Sequence, residues 1–306
     1  RNVNVSQNGT IRMPSVDPAL ACTLAAGLNT GDGSGLLKAV PLLPGLPYGS
    51  SETARAAWAA DMRAAREACH LGFNASVYAR SDLKWTQTSY VSPQMHAFDR
   101  FFYQPGVGFT VSRWLEDTIA RYGGIDSLLL WPTYPNLGID SRNQFEMFRS
   151  MPGGLEALGA AVAELHANGV RVLLPYNPWD NSTRRENTTD AKALAHLART
   201  VGADGFNGDT MWWVGHQFFE GEGDGLAIEP EGMGIPPMRG YHTLGWAYWK
   251  LDPTSTVPRV DFIKYALDSR WMSHGCERWS KEHTRFILTA FFNGVGFVSW
   301  ENVWGT

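Results

Sequence analysis

Several features are scarce or missing in this sequence of 306 residues, and each gap removes a class of protein. Only three cysteines occur, too few for a disulfide-built scaffold. There is no run of eighteen apolar residues, so no transmembrane helix is expected. Basic residues are not in excess: 26 Lys and Arg stand against 30 Asp and Glu, for a net charge of −4. The electrostatic footprint of a nucleic-acid binder is therefore absent. No glycine-rich phosphate loop follows the first strand-like segment, which argues against a doubly wound dinucleotide fold. His242, His274 and His283 lack the spacing of a zinc site. The stretch Glu220–Gly225 lacks the twelve-residue layout of a calcium loop. No cofactor and no metal are expected.

What the chain does have is aromatic surface: 13 Trp, 15 Phe and 10 Tyr. Most of these rings belong in a core. Trp131, Tyr134, Tyr176, Trp179, Trp212, Trp213 and Trp300, however, stand beside strand ends and turn residues, where flat rings can stack on sugar faces. Five N-x-S/T sequons occur, at Asn4, Asn8, Asn74, Asn181 and Asn187, where about two would arise by chance. They point to a secreted or lumenal glycoprotein. Cys22 and Cys69 are disulfide candidates that would leave Cys276 over; three reduced, buried cysteines are the alternative. The first residue is Arg1 rather than Met, as in a processed terminus or a fragment.

Residues 1–50 are rich in Gly, Pro and Leu and poor in charge, and they read as an irregular, extended N-terminal segment. The remainder, 51–306, reads as one domain. It opens with an alanine-rich helix capped by Ser51. Strand and helix then alternate. "LKWTQTSYVS" is a strand candidate, "TVSRWLEDTIARYGG" a helix closed by glycine, and "IDSLLLWPTYP" an apolar strand of the kind covered on both faces. "GGLEALGAAVAELHANG" is amphipathic, with Leu155, Leu158, Val162 and Leu165 on one stripe. "VRVLLPYNP", a helix from "TTDAKALAHLARTVG", "ADGFNGD", "DGLAIEPEG", the helix of "SKEHTRFILTAFFNG" and "VGFVSWEN" complete the series. Such alternation with short loops means parallel strands and right-handed crossovers, and the expected fold is a (β/α)8 barrel of the TIM type. About seven strands are visible. Either one is hidden in the 232–275 region or the closing strand lies beyond Thr306; the second is the expectation, which makes the barrel incomplete at its C-terminus.

Barrel enzymes carry their reactive groups at the C-terminal ends of the strands. Those ends collect Trp131, Tyr134, Asp140 and Arg142; Tyr176, Asn177, Trp179 and Asp180; Asn207 and Asp209; Glu229 and Glu231; and Trp300, Glu301 and Asn302. Carboxylates among aromatic rings compose a sugar site. Glycoside cleavage needs one ionised carboxylate and one protonated carboxyl group, about 5–5.5 Å apart in retaining enzymes. Adjacent strands lie about 4.8 Å apart, so Asp209 with Glu229 is the expected pair, with Glu231 as the second choice for the acid. Two carboxylates so close do not both ionise freely, which leaves one to hold a proton. Asp209 could instead cap the segment starting at Thr210. Asp204, at the opposite end of its strand, reads as structural.

The segment "GADGFNGD" resembles the fourth-strand motif of α-amylase-type and family-31 α-glucosidase-type barrels, in which a pattern like D-G-F-x-x-D ends in the nucleophile. That resemblance implies a glycoside hydrolase acting on α-linked sugars, with Asp209 at the nucleophile's place and a Glu of "AIEPEG" at the acid's. Asn207 stands where the amylase-type arginine would be, and "TMWW" does not continue the amylase pattern, so this is not a plain amylase relative; the wider phrases "DSLLLWPTYPNLGIDSRNQF", "MPGGLEAL" and "VLLPYNPWD" resemble an uncharacterised glycosidase-like barrel family. Trp131, Tyr134, Asp140, Tyr176, Trp179, Asp180, Asn207, Trp212, Trp300 and Glu301 are the candidate substrate contacts, and a carbohydrate is the expected partner. An α-galactosidase-type arrangement would use Asp261 or Asp268 as the acid. The alternative function is a catalytically silent barrel serving as a structural or carbohydrate-binding part of a larger extracellular assembly.

Overall fold

A computed structural model of the chain describes residues 49–69, 75–132, 141–180, 184–211, 214–231, 240–248, 271–276 and 283–299. The chain divides into two compact units, Arg1–Gly72 and Phe73–Thr306. In the first, helix α1 spans Glu52–Cys69. Ser51 caps it as expected: its hydroxyl accepts the Ala54 N–H at 3.2 Å, meeting one of the donors that a helix start leaves unpaired.

The second unit is built on eight strands: β1 Val91–His96, β2 Ser127–Trp131, β3 Arg171–Tyr176, β4 Gly205–Gly208, β5 Ala227–Pro230, β6 Leu244–Tyr248, β7 Met272–Cys276 and β8 Gly296–Ser299. Every neighbouring pair is parallel, in the order β5-β4-β3-β2-β1-β8-β7-β6. A parallel bridge between Glu231 and Trp246 joins the two ends of that sheet. The sheet is therefore a closed ring, and the expectation of a closing strand beyond Thr306 is corrected: β6 and β7 lie in the 232–275 region and at its border. β7 escaped notice because Ser273, His274 and Gly275 interrupt what would otherwise be an apolar run; Ser273 and His274 are both buried here.

Helices α2 Val111–Tyr122, α4 Gly154–Ala167 and α5 Asp190–Val201 pack outside the ring, with a six-residue helix, α3, at Gln144–Arg149 and a late helix, α6, at His283–Asn293. Their cause is visible in the sequence. Thr189 caps α5, and α2 ends at Gly123 in the left-handed conformation, which glycine enters without steric penalty. Met95, Leu128, Leu130, Val172, Leu174, Phe206 and Ile228 form one apolar cluster with Trp114, Leu158, Leu165 and Leu194 of these helices. Strand alternation then turns Ser92, Ser127, Asn207 and Glu229 to the inside.

The first strand differs from expectation. Lys84–Thr88 forms a 3-10 turn, and β1 begins only at Val91. The Thr86 hydroxyl donates to the Leu83 carbonyl at 2.8 Å, a local bond that competes with strand pairing. Pro93, which lacks an N–H, marks the point where β1 hands over from β8 (residues 91–93) to β2 (residues 94–96). The 3-10 turn floors the N-terminal side of the ring. Thr86 also bonds Thr243 at 2.8 Å, Ser89 meets Ser127 at 2.7 Å, and Ser127 donates to Ser92 at 2.8 Å.

Candidate functional site at the mouth of the barrel

Gly205 opens β4, and a Cβ there would overlap the Ala227 carbonyl of β5. The close approach ties the two strands whose far ends carry the main acidic candidates. The register sets Asn207 opposite Glu229 and Gly208 opposite Pro230. The Asp209 N–H continues the ladder by donating to the Tyr176 carbonyl of β3 at 2.8 Å, and the Glu231 N–H donates to the Gly208 carbonyl at 3.1 Å. The chain then turns sharply. Thr210 has φ 58°, a left-handed conformation that is strained for a β-branched residue. A Cβ on Gly208 would lie 2.5 Å from the Met211 sulfur, so glycine is needed at the start of the turn. The Glu231 carboxylate holds the turn in place: its Oε2 accepts the Thr210 N–H at 2.7 Å. Asp209 is half-buried and Glu231 buried.

Of the two expected acids, Glu231 reaches the turn that follows Asp209, through the Thr210 N–H. Glu229 lies one tier deeper and is 1% exposed. Its Oε2 accepts from Asn207 Nδ2 at 2.8 Å, and its Oε1 is hydrogen-bonded to His274 Nδ1. The other imidazole nitrogen, Nε2, donates to the Ser89 carbonyl at 2.6 Å. Burial alone would push His274 toward its neutral form. The Glu229 carboxylate, the Ser89 carbonyl and the more distant Asp126 outweigh it, and the pKa of His274 is raised. No sequence spacing announces this contact, because the two residues are 45 positions apart. The available signal was a lone histidine at a period-two position of an otherwise small and apolar strand.

The remaining candidates separate into three groups. Trp131 and Asn207 are fully buried in the ring, and Tyr176 belongs to the helix side of β3, where its ring meets Phe206 and Phe218 and its hydroxyl donates to Asp190 at 3.0 Å. Burial, ahead of Asp190, raises the pKa of that phenol. Asp180 is buried and accepts the Gln144 N–H at 2.7 Å; Gln144 and Asn177 bond reciprocally at 3.0 and 2.8 Å, so the loops after β2 and β3 are clamped together. Among the described aromatic candidates, Trp179 is the one that is exposed, at 37%. Tyr134, Asp140, Trp212, Trp300 and Glu301 lie outside the described residues, as do Asp261 and Asp268.

Asp204 sits at the opposite end of β4, bonded to Arg171 and His166 at 2.7 Å each and to the Val172 N–H at 2.8 Å. His96, which the sequence did not single out, ends β1 opposite Trp131. It is half-buried, and burial lowers its pKa despite Asp99, so it offers a neutral imidazole. Asn187 is exposed; the sequons at Asn4, Asn8, Asn74 and Asn181 and the Cys22–Cys69 pairing fall outside the described residues. Cys276 is buried in β7. Among the described residues, no group of three His, Cys, Asp or Glu is arranged for a metal, and no helix is long and apolar enough to cross a membrane. A cavity of about 770 Å³ lies beside α5, and none of its lining residues is on a barrel strand.

No protein-family model matches the chain, and neither does the sequence of any curated protein. Solved structures do. An α-amylase from Geobacillus thermoleovorans complexed with acarbose is 13% identical, with 71% of each chain covered and a TM-score of 0.40. A debranching enzyme from Nostoc punctiforme is 14% identical over 49% of each chain, with a TM-score of 0.28. The trehalulose synthase MutB is 14% identical over 65% of this chain and 58% of its own, with a TM-score of 0.33. The likeness reaches the barrel fold alone, which the closed ring of strands already defines.

Proposed function

We propose that the chain is a glycoside hydrolase working at the C-terminal mouth of the barrel, with Asp209 as nucleophile and Glu231 as acid/base. The observation that carries this reading is the strained turn at Thr210, clamped by Glu231 immediately after Asp209. Strain in a β-branched residue persists only where the surroundings over-determine it, and such positions gather at active sites. In the reaction, the Asp209 carboxylate attacks the anomeric carbon while the Glu231 carboxyl protonates the departing glycosidic oxygen. The deprotonated Glu231 then draws a proton from water, which releases the sugar from Asp209 with its configuration retained. Trp179 offers a stacking face and His96 a neutral hydrogen-bonding group. The preference for α-linked sugars rests on the motif resemblance, and a secreted or lumenal location on the sequons, of which Asn187 is accessible.

The test is covalent. A mechanism-based α-glycosidase inactivator should label Asp209, read by peptide mass spectrometry, and Asp209→Asn should abolish both labelling and turnover. A label on another acid, or an Asp209→Asn variant of unchanged rate, ends the proposal. The second reading, a silent barrel that serves as a structural or carbohydrate-binding component, is favoured by the burial of Trp131 and Asn207, which removes two expected sugar contacts from the surface.

A further inference from the structure

Beneath the mouth lies a tier that the proposed chemistry does not use. Asn207 and Glu229 are each two residues before a rim acid, Asp209 and Glu231, which follow directly on the ends of β4 and β5. His274 reaches Glu229 from β7, across the width of β6, and rests on Ser89 beside the start of β1. All three side chains are buried. A Cβ on Gly296 of β8 would lie 2.5 Å from His274 Cδ2 and 2.7 Å from the Tyr90 carbonyl, so the ring occupies a fitted slot.

The proton inventory is constrained. The Ser89 carbonyl only accepts, so Nε2 must carry a hydrogen. Nδ1 and Oε1 of Glu229 are hydrogen-bonded, so one proton must lie between them; a bare lone pair facing a carboxylate would repel it. Whichever atom holds that proton, the couple is neutral as a whole and consumes both of the groups that could donate. Glu229 therefore has no proton to deliver to a leaving group at the mouth. Glu231, which accepts the Thr210 N–H immediately after Asp209, is placed for that task.

We propose that Glu229 and His274 are a positioning couple, a proton-sharing crossbar that sets the ends of β4 and β5, and that the proton donor at the mouth is Glu231. The assignment of the donor rests on the hydrolase reading; the crossbar does not.

Four variants test it: Glu231→Gln, Glu229→Gln, His274→Gln and the double Glu229→Gln/His274→Gln. The substrates are α-linked glucose disaccharides and other alkyl α-glycosides, whose alcohol leaving groups need a proton to depart. With Glu231→Gln, kcat should fall by about 10²–10⁴, the usual share of general acid–base catalysis, and the alkaline limb of the pH–rate profile should vanish. With Glu229→Gln and the double variant, kcat should fall about tenfold at near-constant KM, the alkaline limb remaining where it was, as for a misplacement that leaves the donor intact. Melting temperatures of the wild type, Glu229→Gln, His274→Gln and the double variant form a double-mutant cycle: the two single losses should sum to more than the loss of the double. Loss of the alkaline limb in Glu229→Gln, with retention in Glu231→Gln, overturns the donor assignment. Strictly additive melting shifts overturn the crossbar. If the wild-type chain cleaves none of the glycosides, the hydrolase reading and the donor assignment fall together, and the melting cycle decides the crossbar alone.

Discussion

Replacing Thr210 by glycine separates stability from function at one atom pair. Thr210 has φ 58° and is exposed, so its side chain contributes little packing. The left-handed conformation costs an L-residue about 1–2 kcal/mol. Glycine removes that strain but adds backbone freedom to the unfolded chain, a loss of about 0.5–1 kcal/mol. The Thr210 N–H bond to Glu231 is a backbone bond and survives the exchange. The net expectation is a gain of about 0.5–1 kcal/mol, the difference of those two terms. For a domain of this size that is a rise of about 1–4 °C in melting temperature, measurable by differential scanning calorimetry. Activity should move the other way. A glycine turn holds Asp209 less firmly, and misplacement of a reacting group by about 1 Å costs about 10²-fold in rate; kcat should fall by about 10- to 100-fold. A lower melting temperature for Thr210→Gly would refute the strain reasoning, and an unchanged kcat would detach the turn from the site.

Three further outcomes follow from packing and charge. Gly205→Ala forces a methyl group into the Ala227 carbonyl and should destabilise by about 1–3 kcal/mol as an overpacked site does, read as a lower urea midpoint at unchanged slope. Asp204→Asn weakens the contacts to Arg171 and His166 at the N-terminal side of β4; stability should drop by about 1–3 kcal/mol with kcat unchanged, since the mouth is at the other end. The raised pKa of His274 gives a pH-dependent share of stability. That share is complete below the unfolded histidine value of about 6.5 and is lost as pH rises through the folded value. Urea titrations from neutral to alkaline pH should show a decline in the wild type that is absent in the double Glu229→Gln/His274→Gln variant.

Much of the scaffold was legible in the sequence because it follows from simple periodicities. The strands "SLLLW" and "RVLLPY" and helices α2, α4 and α5 announce themselves by apolar runs, stripes and terminal glycines. What stayed hidden is what the ring buries without apolar side chains. β7 carries Ser273 and His274, and β1 contains Pro93, so neither reads as a central strand until its partners are known. The choice between Glu229 and Glu231 was equally closed to a linear reading. Both have the same parity along the chain, and only the fold decides which of them reaches the turn that follows Asp209. Trp131 looked like a rim residue because it ends an apolar strand, but a strand buried along its whole length gives no sign of where its cover begins.

The inner tier bears on which of the two functional readings this barrel obeys. A barrel interior is usually filled with branched apolar side chains, and an apolar filling of equal volume is typically as stable as a buried ion pair, or more so. Glu229, Asn207 and His274 are therefore poorly explained as a device for stability. A polar tier makes sense where the tier above must be held at a fixed geometry, because hydrogen bonds and a shared proton restrict strand position along directions that dispersion contacts leave soft. Such a constraint matters to a pair of carboxyl groups that must face one anomeric carbon, and it would be superfluous under a barrel that only presents a surface. The cost falls on stability and the benefit on placement, the division that the proposed hydrolase calls for.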